Sequence, residues 1–157
     1  MAIKPLALAL LCFTILSLPR TVIADSVYSI EGGIGVGNSD GMRTVNLGIA
    51  DQVWGALVEK GSVGLWADGP GSASGYAAYQ LGWHISTGGV AISLYTGPCL
   101  ITTPDILLGS PLEFMSDLHV DFYNRDGMIG VYYRHISDAG LTLVNVGRDS
   151  IGLELGW

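Results

Sequence analysis

Cysteine, positive charge and long apolar runs are all scarce in this chain, and each scarcity removes a class of protein. There are two cysteines, Cys12 and Cys99. With Cys12 inside an N-terminal leader, Cys99 stands alone, which leaves no internal disulfide and no cysteine-based metal site. Lysine and arginine number seven against fourteen acidic residues. A chain so poor in cations has no basic stripe with which to displace counterions from nucleic acid. Beyond the first twenty-odd residues no apolar run is long enough for a membrane helix, which needs about 20 residues. Yet only 13% of residues are charged and the mean hydropathy is +0.45. Apolarity that is high overall but never continuous is the composition of a transmembrane β-barrel.

The exception is the N-terminus. Lys4 gives a positive start, residues 6–18 are almost wholly apolar, Arg20 ends the run, and Val22-Ile23-Ala24 offers a small residue before Asp25. This is the layout of a secretory signal peptide over residues 1–24. Cys12 does not make it a lipoprotein signal, because Leu11 stands where a small residue is required. Loss of Lys4 and Arg20 leaves Arg43, Lys60, Arg125, Arg134 and Arg148 as the cations of residues 25–157, which form one domain.

Those residues alternate, with apolar side chains on one parity and Gly or polar ones on the other. The pattern predicts eight strands, at about 26–37, 43–50, 55–67, 73–86, 89–98, 112–123, 128–137 and 149–157. The third, around Val63 and Leu65, is the weakest. Asn38-Ser39-Asp40-Gly41, Thr87-Gly88-Gly89 and Asn124-Arg125-Asp126-Gly127 are tight-turn sequences, and Asp68-Gly69-Pro70-Gly71-Ser72 is a looser loop. The fold class that follows is all-β, an eight-stranded antiparallel transmembrane β-barrel, with small polar side chains in its lumen and an apolar belt towards lipid. Alternation alone does not say which face is in. A soluble lipocalin-like barrel would show the same period with Asp117, His119 and Asp121 in water. The signal peptide and the ending Ile151-x-Leu153-x-Leu155-x-Trp157 favour the membrane barrel, since a terminal aromatic resembles the signature that barrel-assembly machinery reads.

Tyr133-Arg134-His135-Ile136-Ser137-Asp138 carries the most specific chemistry. Side chains two apart on a strand share a face, so His135 and Ser137 lie together with the apolar Ile129, Val131 and Tyr133. Asp149 shares the parity of Ile151, Leu153, Leu155 and Trp157. Three polar groups therefore interrupt a lipid-facing side, where unpaired polarity is costly. An Asp–His–Ser network would relieve that cost and could make Ser137 an ester-attacking nucleophile. A polar strand end meeting its loop would read the same way in sequence.

His135-x-Ser137-x-Ala139-Gly140, followed by Asn145-x-Gly147 and an acid before the last strand, resembles the lipid A 3-O-deacylase family. The likeness is strongest over 127–157 and weaker through Gly97-Pro98 and from Gly109 to Phe114. It implies an outer-membrane serine esterase of a Gram-negative bacterium that needs no cofactor. Ser137 would be nucleophile, His135 general base and Asp149 the orienting acid, with an oxyanion region at Asp138, Ala139 and Gly140. The substrate would be an ester-linked 3-hydroxyacyl chain at the 3-position of lipid A (lipopolysaccharide). The implied partners are the outer membrane and the barrel-assembly machinery, with no nucleic acid; a homodimer is left open. The sequence departs from the family in two places. Asp149 stands where Glu is typical, one methylene shorter, and Asp138 follows the serine where Asn is common. Asp138 is also the nearest rival to Asp149 for the acid. A non-catalytic outer-membrane barrel with a structural or surface role is the other reading.

Three further features read as structural. His84 and His119 share a face with acids of neighbouring strands, but without ligand spacing they suit lumen hydrogen bonding better than a metal. Gly32-Gly33-x-Gly35-x-Gly37 lacks the following helix of a phosphate loop. Glu59 and Lys60 read as a solvated or interfacial pair.

Overall fold

The computed structural model describes residues 26–69, 73–104, 108–138 and 146–157. The expected signal peptide lies outside them. The strands are β1 (Val27–Val36), β2 (Met42–Trp54), β3 (Leu57–Asp68), β4 (Ala73–Thr87), β5 (Val90–Ile101), β6 (Leu112–Tyr123), β7 (Met128–Ser137) and β8 (Arg148–Gly156). Each pairs antiparallel with its sequence neighbour, and β1 pairs with β8, closing the barrel. Closure gives every strand two partners and leaves no open edge for lipid to meet. The strand boundaries follow the alternation, except that β2 and β5 continue four and three residues beyond their expected ends, β2 closing on a short turn at Gly55 and Ala56.

The turns sort to two ends. One end, the turn end, carries the start of β1, the end of β8 and the compact connections at 55–56, 88–89 and 124–127. There Asn124 Oδ1 accepts from the backbone N–H groups of Asp126 and Gly127, which fixes the tight reversal. The other end, the loop end, carries the connections after β1, β3, β5 and β7.

The side chains resolve the inside–outside ambiguity. Leu47, Leu65, Trp83, Ile92 and Leu153 are more than half exposed on the outer wall, whereas Asp117, His119 and Asp121 are buried in the lumen. Polar groups inside and an apolar belt outside is the inverse of a soluble ligand-binding barrel.

The lumen differs from the expected filling of small side chains. Its middle is packed with large ones: Arg134, Lys60, Glu31, Gln80, Tyr132 and Tyr76. Arg134 forms a fork on Asp117, with Nε to Oδ1 at 2.8 Å and a terminal nitrogen to Oδ2 at 2.7 Å. The same guanidinium donates to Glu31 Oε2 and to Tyr76 Oη, each at 2.7 Å. Lys60, expected as part of a solvated pair with Glu59, is 2% exposed and bonds Glu31 Oε1 at 2.5 Å. The expectation failed because adjacent strand residues point to opposite faces. Lys60 goes inward, while Glu59 faces out and accepts from the Tyr79 hydroxyl. Towards the loop end the packing becomes apolar, with Met42, Trp66, Cys99, Leu108, Met115 and Ile136 in one buried cluster. Trp66 stacks on Tyr76 there, with ring centroids 5.5 Å apart. At the turn end the lumen widens into a cavity of about 680 Å³ lined by Ser29, Asp51, His84, Asp121 and Glu154 among others.

Candidate active site

The hairpin arms β7 and β8 bring the sequence-predicted residues together on the outer wall near the loop end. Their register sets His135 directly opposite Asp149, with Tyr133 opposite Ile151. Directly opposed residues of an antiparallel pair have Cβ atoms about 4.5–5.5 Å apart, close enough for a short acid to meet an imidazole. His135 Nδ1 lies 2.8 Å from Asp149 Oδ1. A carboxylate oxygen accepts here and Nδ1–H donates, which in a neutral imidazole leaves the lone pair on Nε2. The side chains are 40% and 22% exposed respectively, so the pair is reachable from outside the barrel. The single methylene by which Asp is shorter than Glu does not prevent contact.

Ser137, the last residue of β7, shares this outer face and pairs across to Phe114 of β6. Among the described residues no hydrogen bond joins its hydroxyl to the His135 ring. Catalytic contacts are commonly loose without substrate and tighten around it. The structure thus brings together acid and base and places the serine one step along the same face.

Asp138 behaves differently from its expected rivalry with Asp149. Its side chain is wholly buried, on the parity that points into the barrel, so His135 turns to Asp149 instead. Ala139 and Gly140, the rest of the expected oxyanion region, lie outside the described residues.

Two contributors were not assigned a role from sequence. The Tyr133 hydroxyl, on a residue counted only as lipid-facing, donates to Asp149 Oδ1 at 2.5 Å. Gly147 backs the imidazole. A Cβ there would lie 2.7 Å from His135 Cε1 and 3.3 Å from Nε2, and its φ of +71° is itself a glycine conformation. The second had a visible signal in the Asn145-x-Gly147 spacing.

Beside His135 on the outer wall, Ser116 of β6 is its register partner. Its hydroxyl shares a 3.0 Å hydrogen bond with that of Thr96 on β5. Thr96 precedes Gly97, where a Cβ would stand 2.1 Å from the Tyr79 carbonyl oxygen. Only glycine allows β4 and β5 to approach so closely at this break in their pairing.

The inner histidines belong elsewhere. His84 Nδ1 pairs with Ser93 Oγ at 2.9 Å. His119, Glu31 and Glu154 converge as a metal site would. Lys60 Nζ, however, lies between Glu31 and His119, 3.1 Å from His119 Nε2, and supplies the positive charge itself. The large cavity is likewise an interior feature at the turn end, whereas the His135–Asp149 pair sits on the outer wall towards the other end.

Comparison with known proteins assigns the chain to a family. The family model described as lipid A 3-O-deacylase (PagL) matches residues 48–157. The chain belongs to the lipid A 3-O-deacylase family. It is therefore a lipid A deacylase, an ester hydrolase carried on an outer-membrane barrel, rather than a barrel with only a structural role. Among solved structures, the crystal structure of the outer-membrane enzyme PagL aligns with a TM-score of 0.64 at 21% identity, over 83% of this chain and 97% of that one. The N-terminal barrel domain of Pseudomonas aeruginosa OprF aligns at 0.62 with 12% identity, over 83% and 94%. A structure reported for the de novo design of transmembrane β-barrels aligns at 0.58 with 9% identity, over 84% and 94%. These likenesses carry the fold; the family model carries the activity. A comparison with curated protein sequences finds no significant match.

Proposed function

We propose that the deacylase works as a serine esterase on the 3-hydroxyacyl chain ester-linked at the 3-position of lipid A, with Ser137, His135 and Asp149 as its triad. The observation that carries this reading is the His135–Asp149 contact on a lipid-facing wall, with a serine hydroxyl next on the same face. An apolar belt has no packing use for such a group, and leaving it unpaired would be costly.

With both termini on the periplasmic side, the compact turns would face the periplasm and the loop end the exterior, where lipid A forms the outer leaflet. His135 Nε2 takes the proton of Ser137 Oγ as that oxygen attacks the ester carbonyl. The tetrahedral intermediate collapses by releasing the sugar hydroxyl, which recovers the proton from His135. Water, deprotonated by the same imidazole, then hydrolyses the acyl-serine and frees the hydroxy fatty acid. Asp149 keeps Nδ1 protonated throughout and stabilises the transient imidazolium. Backbone N–H groups after Ser137 are the candidates for holding the oxyanion. The buried Asp138 side chain is on the wrong side of the strand to repel it.

The test is expression in a Gram-negative host lacking such an enzyme, with Ser137→Ala in parallel, and mass spectrometry of the lipid A. Loss of one hydroxyacyl mass with the native chain alone is the expected result. Intact lipid A despite a native barrel in the outer membrane would end the reading, and deacylation by the alanine variant would remove Ser137 from it.

A further inference from the structure

We propose that Tyr133 is a positioning residue of this site, its hydroxyl fixing the Asp149 carboxylate where that group can hold the His135 ring. The inference rests on the triad reading above and adds a fourth member to it.

Tyr133 precedes His135 by two positions and so projects from the same outer face, diagonal to Asp149 across the hairpin. Asp149 Oδ1 accepts from both sides, from Tyr133 Oη at 2.5 Å and from His135 Nδ1 at 2.8 Å. The acid's backbone is tied as well, since its N–H donates to Ser39 Oγ at 2.9 Å, and Ser39 is buried in the turn after β1. Backbone and carboxylate are thus each anchored by a residue outside the triad.

Chemistry gives each anchor a purpose. A short carboxylate on a lipid-facing wall has lost part of its water, and one imidazole donor does not replace it. A second donor lowers that cost and selects the rotamer that faces the ring. A tyrosine also suits the aromatic girdle of a membrane barrel, but here the hydroxyl donates to Asp149. The shorter acid explains that contact. An aspartate holds its carboxylate within reach of both the ring and the Tyr133 hydroxyl, whereas a glutamate in its place would carry it one methylene further out.

The decisive variant is Tyr133→Phe, compared with Asp149→Glu, the double variant and Asp149→Asn in the full-length protein. Turnover of lipid A in mixed micelles should fall roughly ten-fold in Tyr133→Phe, the loss of about one directed hydrogen bond, with KM little changed. In the Asp149→Glu background the same substitution should cost much less. An equal loss in both backgrounds, or none in the first, overturns the proposal. The second readout needs no activity. In protein labelled with ¹⁵N-histidine, the hydrogen-bonded Nδ1–H of His135 should give a downfield proton signal that fades in Tyr133→Phe and in Asp149→Asn. An unchanged signal in Tyr133→Phe rejects the positioning role, and absence of the signal from the native spectrum rejects the pair itself. If the native chain leaves lipid A intact, the deacylase mechanism fails while this spectrum still decides Tyr133.

Discussion

Strand β7 carries two polar clusters back to back, and they are built in opposite ways. Inward, Arg134 directs its donors to Asp117, Glu31 and Tyr76 in a dense network that Lys60, His119 and Glu154 extend. Outward, one residue further along, the one side-chain hydrogen bond of His135 among the described residues runs from Nδ1 to Asp149. The inner cluster satisfies charge with charge inside the barrel. The outer one keeps reactive capacity in reserve on a wall where polarity is costly. Dense ion pairing marks the inner cluster, and the sparser outer pair is the one proposed for catalysis.

The comparison breaks most sharply at the acids. Asp149→Asn removes the negative charge and puts a donor NH2 in place of one oxygen, so the imidazole tautomer is no longer fixed, and deacylation should fall by up to about 10⁴-fold, the scale seen when a triad acid becomes its amide. Asp138→Asn, on the inner side, should leave turnover within a few-fold. Rates of lipid A deacylation by the two purified variants provide the check, and a larger loss at Asp138 would reassign the acid.

The inner cluster should answer in stability instead. Arg134→Met strands Asp117 and part of Glu31 in the lumen, and removing one partner from a buried ionic network costs about 3–5 kcal/mol. Urea-driven unfolding of the barrel in lipid or detergent should show it, while residual folded protein keeps the His135–Asp149 geometry and its turnover. If stability is unchanged, the network is less well made than its distances imply.

Much of this division was legible in the sequence because a strand has a period of two. Parity separates Asp117, His119 and Asp121 from Leu118, Val120 and Phe122, and it places His135, Ser137 and Asp149 on one side before any register is known. The same rule sets Asp138 on the other side from His135, since it follows Ser137 and is buried. What parity does not supply is pairing across the barrel. Lys60 meets Glu31 over the intervening strand β2, whose Gly48 leaves room between them, so a local reading assigned it to Glu59. Tyr133 looked apolar for the same reason. Its hydroxyl acquires meaning only once β7 and β8 are in register. The lumen's large side chains were hidden too, because alternation reports which face a residue takes and not how much space that face encloses.

Gly147 offers the smallest and most selective perturbation, because two effects coincide there and can be separated. Alanine at this position must hold a φ of +71°, a cost of about 1–2 kcal/mol for an L-residue. Its Cβ would also press on His135 Cε1 at 2.7 Å. Gly69, at the loop end after β3, has φ +75° with nothing within 4 Å of the place a Cβ would take, so Gly69→Ala isolates the backbone cost. Both variants should lose similar stability in urea. Gly147→Ala alone should lose turnover, by roughly ten-fold or more, because an imidazole displaced by a fraction of an ångström no longer lines up with both Asp149 and Ser137. Equal activity in the two would mean that the ring is free to move aside. In that case the second nitrogen of His135 is not held towards the serine by its surroundings, and alignment would have to come from the bound lipid.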